Sequence, residues 1–142
     1  MASSVPSTRR RFSPGQFALH AEAATAMVLA SLAIRLLSFP RVTALGARPA
    51  GIRQMVDVAT LRGPVRGWGR RVPWRALCFE SALALRLMLA RRGVGSTLHY
   101  GIAQSEGLKA HVWLSVDGDV VIGGAEADGF TEVGTFPPRP TR

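Results

Sequence analysis

The sequence predicts a single α+β domain, helices first and a short antiparallel sheet after them. Three observations carry this. Residues 16–39 form an Ala-, Leu- and Met-rich stretch with no Gly or Pro, a leucine-rich run ends at Gly93, and two apolar runs are joined by Asp117-Gly118.

The chain opens on MASSVPSTRRR, so residues 1–15 are expected to be a flexible basic N-terminus. QFALHAEAATAMVLASLAIRLLSF, residues 16–39, then has the composition of one long helix, and Pro40 is expected to stop it. The charge-free run between Glu22 and Arg35 is about twelve residues, short of the roughly twenty needed to span a bilayer. The expectation is therefore a buried or membrane-surface helix and no transmembrane span. A signal peptide fits poorly as well, because no convincing small-residue cleavage site follows the apolar stretch.

From Arg41 to Pro73 the signals weaken. IRQMVDVATLR has the composition of a short helix, and GPVRGWGRRVP reads as a loop punctuated by Gly and Pro. WRALCFESALALRLMLARR, residues 74–92, reads as a helix of strong formers closed by Gly93. STLHYGIA then reads as a strand. LKAHVWLSV and DVVIGG read as a hairpin about Asp117-Gly118, so the sheet is expected within residues 96–124. The domain is expected to fill residues 16–132, and residues 133–142 to be a flexible tail.

With 142 residues there is room for one core without disulfide or metal staples, and 47% hydrophobic with 19% charged residues argues against general disorder. Cys78 is the only cysteine, so no internal disulfide forms and a reducing cytoplasm suits the thiol. His20, His99 and His111 are scattered without metal-ligand spacing, and no structural metal is expected. The formal charge of +9 would ordinarily point to nucleic acid or an anionic membrane. Lys109 is the only lysine, however, and an arginine-dominated balance beside abundant Ala and Gly fits a solvated basic surface, so no nucleic-acid partner is assigned.

Chemistry concentrates in the second half. Cys78 falls in or near the first turn of its predicted helix, where free N–H groups and the helix dipole favour a thiolate and could cradle an oxyanion. A buried, inert cysteine is the plain alternative. On the strand KAHVWLSV, alternation places His111, Trp113 and Ser115 on one face and Val112, Leu114 and Val116 on the other. If the sheet packs on the cysteine helix, His111 can serve Cys78 as base and then as acid for the leaving amine. His20 and His99 read as structural histidines.

These residues carry a resemblance. Cys78 opening a helix, Ser81-Ala82-Leu83-Ala84-Leu85, Arg91-Arg92-Gly93, Gly101, and His111 with Trp113 resemble, in order and spacing, the transglutaminase-like domain of the leader peptidases of lasso-peptide biosynthesis. The likeness is strongest from Trp74 to about Gly124. It implies a papain-like core and a cysteine protease that cuts one bond of a ribosomally made precursor without a cofactor. It also implies partners: the precursor peptide, a separate leader-recognition protein and an ATP-dependent macrolactam cyclase. At this length no recognition domain is expected alongside the peptidase domain.

The resemblance further implies an acidic third residue on the strand after the histidine. Regular pairing across Asp117-Gly118 would set Val116 against Asp119 and His111 against Gly124, so an acid would be wanted at Gly123 or Gly124, and neither can orient the ring. Glu126 shares parity with Gly124 and is the candidate, with Asp128, a backbone carbonyl or no acidic member as alternatives. Trp74, Glu80, Arg86 and Trp113 are candidate substrate-cleft residues. Two other functions stay open: an acyltransferase of the same fold, and a non-enzymatic basic module that binds nucleic acid or membrane.

Overall fold

The computed structural model describes residues 11, 13–49, 51–71 and 78–138. Most of the expected basic N-terminus lies outside them, but its end is ordered. Ser13 caps α1 (Pro14–Leu36) by accepting from the Gln16 N–H while the Gln16 side chain accepts from the Ser13 N–H, and Pro14 occupies the first turn. The helix ends before Phe39. Pro40 lies instead in the first turn of a separate short helix, α2 (Phe39–Ala44), where a missing N–H costs nothing.

The expected loop GPVRGWGRRVP is also corrected, since α3 spans Val58–Arg71 with Pro64 inside it. Gly63, Pro64, Gly67 and Gly69 make this a poor helix by propensity, and tertiary packing overrides them. Leu61, Pro64 and Val65 are buried, and the Trp68 indole N–H donates to the His20 carbonyl of α1 at 2.9 Å.

The second leucine-rich helix, α4, runs Cys78–Arg91, and the expected residues 74–77 lie outside the described ones. Ala82, Leu83, Ala84, Leu85, Met88 and Leu89 are all buried. Apolar all round, α4 is the central element, packed on α1 and α3 on one side and on the sheet on the other. Gly93 ends it in the left-handed region, with the Val94 and Gly93 N–H groups returning to Leu89 and Ala90.

The four strands β1 (Thr97–Gln104), β2 (Leu108–Val116), β3 (Asp119–Ile122) and β4 (Thr131–Phe136) form an antiparallel sheet of order β3-β2-β1-β4. The fourth strand falls largely in the expected tail. It pairs with β1 and brings Phe136 onto the core. At the Asp117-Gly118 turn both residues have positive φ, and Val116 pairs with Asp119 as expected. Beyond that the register departs from the expected one. Leu114 and Ser115 pair with Ile122 and Val120, so Val121 is an extra residue on β3. β3 then ends at Ile122 and never reaches His111; Gly124 begins the short helix α5 (Gly124–Ala127).

By length and composition α1 could cross a membrane, yet Ala23, Ala26, Met27, Ala30 and Ser31 are buried against the domain. The Arg91-Arg92-Gly93 motif helps to hold it there. Arg92 grips Glu22 of α1 through two parallel hydrogen bonds of 2.7 and 2.6 Å, and Arg91 lies 3.3 Å from the same carboxylate. The Arg92 hydrogen bonds hold the Glu22 carboxyl below its usual range. A depressed folded-state pKa stabilises above the unfolded value, about 4.3, and that contribution is lost as pH falls through the folded value. Glu22→Gln is therefore expected to cost on the order of 1 kcal/mol at neutral pH, read by urea unfolding. The gap to wild type should close once pH falls below the depressed pKa of the Glu22 carboxyl. A gap that persists there would mean the loss is packing and not charge.

Candidate active site

α4 delivers Cys78 to the edge of the sheet left open where β3 stops. Its Sγ accepts a hydrogen bond from the Val112 N–H of β2 at 3.4 Å. The thiol is half-buried, and this burial pushes its pKa up, against the pull of the Val112 and Phe79 N–H groups. The expectation of a thiol made acidic by the helix end is thus corrected: lost hydration outweighs the backbone donors. Thiolate then forms above the ordinary cysteine range. Alkylation by iodoacetamide should rise with pH to a midpoint above the roughly 8.5 of free cysteine. A midpoint at or below that value would show a preformed thiolate.

β2 carries His111 next to Val112. The ring is buried, and its Nε2 lies 2.8 Å from the Gly123 carbonyl oxygen. A carbonyl only accepts, so Nε2 is the donor in this contact, and in the uncharged tautomer that fits it Nδ1 has the lone pair. Phe130 and Trp113 pack on the imidazole, with ring centroids 5.0 and 5.8 Å away. Glu126 Oε2 stands 4.0 Å from Nε2, beyond hydrogen-bond reach, on a side chain 66% exposed. The orienting contact is the carbonyl of Gly123. The expectation that Gly123 could not orient the ring considered side chains, whereas the left-handed turn at Gly123 aims the main chain.

Cys78 and His111 line one open cleft of about 410 Å³. Ser81 of α4, Arg66 and Arg70 of α3, and the turn from Ile122 to Glu126 complete its walls. A larger cavity of about 690 Å³, beside Arg53 and Asp117, contains neither Cys78 nor His111.

Of the expected substrate-cleft residues, the three that are described, Glu80, Arg86 and Trp113, do not line this cleft. Trp74 is outside the described residues. Glu80 is buried, as is Trp113, and neither lines the cleft. Arg86 has no exposed surface; its guanidinium donates to the carbonyls of Thr43 and Phe136, tying α2 and β4 to α4. Burial lowers its pKa to about 10. Glu80 and Arg86, two and eight residues after Cys78, are both taken up in the packed layers and neither lines the cleft. Ser81, Arg66 and Arg70 were not expected there. The four-residue spacing of the two arginines was the available signal, hidden by reading their segment as a loop.

A second array shares the face of the sheet that bears His111. His99 Nδ1 is bonded to Glu132 of β4, and Nε2 lies 2.7 Å from Ser115 Oγ. The His99 ring stacks on Trp113 at 5.4 Å with planes 3° apart. The structural role expected of His99 is thus a specific one: it braces the indole that lies against His111. This face is buried like the other, since every residue from His111 to Val116 is buried.

No curated protein and no solved structure matches the chain. A family model does: that of the transglutaminase-like superfamily, over residues 22–135. The match runs from within α1 into β4, including Cys78, His111 and Gly123, and this chain belongs to the transglutaminase-like superfamily.

Proposed function

We propose that this protein is a cysteine peptidase that removes the leader from a ribosomally made lasso-peptide precursor. The superfamily includes both cysteine peptidases and acyltransferases. The observation that carries the reading is Cys78 and His111 on one cleft, with His111 Nε2 held by the Gly123 carbonyl. That arrangement leaves a basic nitrogen for the thiol. The sequence resemblance supplies the substrate class.

In the proposed cycle His111 Nδ1 takes the Cys78 proton as Sγ bonds to the scissile carbonyl carbon. The C–N bond then breaks, and the imidazolium returns its proton to the departing amine. Water, deprotonated by the same nitrogen, attacks the thioester; the leader leaves as a carboxylic acid and Cys78 regains its proton. The released amine is the group a macrolactam cyclase would use. We place the reaction in the cytoplasm, with a separate recognition protein presenting the leader.

The test is to incubate the protein with precursor and recognition protein in ¹⁸O-water and weigh the products. Cleavage at one bond with ¹⁸O in the leader carboxylate is the expected result. A leader joined to an added amine in place of water would establish acyl transfer, and an intact precursor would reject the peptidase.

A further inference from the structure

Two of the cleft's walls are charged, and they are unequal. Arg66 and Arg70 stand four residues apart on α3, both exposed, and both line the cleft that holds Cys78. Like charges at this spacing weaken a helix slightly. The dipole favours Arg70 in the last turn of α3, but offers Arg66, one turn earlier, much less. Among the described residues neither arginine forms an ion pair. The one carboxylate lining the cleft among the described residues is Glu126, on the α5 side. α3 therefore presents two guanidinium groups, fit for bidentate binding of a carboxylate, beside the nucleophile.

We propose that Arg66 and Arg70 form an anion clamp that selects a substrate carrying an aspartate or glutamate within a few residues of the cleaved bond. The clamp rests on the peptidase reading and adds a specificity to it. It binds the substrate's carboxylate as the chain lies across Cys78, so its energy helps to position the scissile carbonyl. The net charge of +9 draws acidic segments to the same surface, and salt should weaken that attraction.

The experiment compares two precursors that differ only by Glu or Gln, or Asp or Asn, beside the cleaved bond. Wild type should cleave the acidic precursor with a kcat/KM about tenfold higher at low salt, and the ratio should shrink as salt is added. In the Arg66→Gln/Arg70→Gln double variant the ratio should fall towards one. In Arg66→Glu/Arg70→Glu it should invert. An unchanged ratio in these variants overturns the clamp. A second readout does not need catalysis: an acidic peptide should slow iodoacetamide alkylation of Cys78 in wild type, and do so much less in the double Gln variant. If no precursor is cleaved but this protection is seen, the peptidase reading fails and the cleavage specificity with it, while carboxylate binding by Arg66 and Arg70 beside Cys78 stands. If a short oligonucleotide protects Cys78 better than the acidic peptide does, the clamp's substrate class is wrong.

Discussion

Cys78→Ala is expected to lower cleavage by at least about 10⁴-fold, and His111→Ala to do nearly the same, because nucleophile and base act as a unit and removing either removes the covalent route. The two variants should differ in one respect. His111→Ala keeps the thiol and should still be alkylated by iodoacetamide, whereas Cys78→Ala should take up no label, Cys78 being the only cysteine. Both should fold. The alanine at position 78 leaves the Val112 N–H without its sulfur acceptor, a loss of about 1 kcal/mol. Far-UV circular dichroism checks this, and leader release is followed by mass spectrometry. Turnover by folded Cys78→Ala would remove the covalent mechanism.

The second large effect is expected at Gly123. Its φ of +79° lies in the region that side chains disfavour, and a Cβ there would sit 2.9 Å from the Val112 carbonyl oxygen and 3.0 Å from Trp113 Cβ. Neither neighbour is the free end of a flexible side chain, so the turn itself must move. Gly123→Ala should therefore cost about 1–3 kcal/mol of stability. It should also cost about 100-fold in kcat, because the carbonyl that fixes the His111 tautomer is carried off its nitrogen. Glu126→Gln is the control. An exposed carboxylate 4.0 Å from Nε2 should matter by no more than about threefold, its charge being screened by solvent. A loss at Glu126 as large as that at Gly123 would make the carboxylate, and not the main chain, the orienting group.

Much of this architecture was legible in the residues. The leucine-rich run stopped by Gly93 is α4, the Asp117-Gly118 turn is where it was expected, and Cys78 and His111 open onto one cleft. What was not legible came from tertiary packing. Gly63, Pro64, Gly67 and Gly69 spell a loop by propensity, and only burial of Leu61 and Val65 against neighbouring helices makes them helical. The extra residue Val121 in β3 leaves no mark in an apolar run, yet it shifts the register, and the left-handed turn at Gly123 then ends the strand short of His111. Because of it, the orienting contact comes from a carbonyl, which sequence spacing cannot display. Glu80 and Arg86 were polar residues on the right helix, but α4 is buried on nearly every side, so no polar face marked which of its residues reach the cleft.

The nucleophile belongs to the helical layer and the base to the sheet, joined locally by the Val112 N–H to Cys78 sulfur hydrogen bond. Their separation is therefore a property of how the layers sit on one another, through residues such as Leu85 and Leu114, and not of either element alone. Turnover reads out tertiary order: a molten state that kept every helix and strand but loosened the packing between them would hold both residues and have no active site.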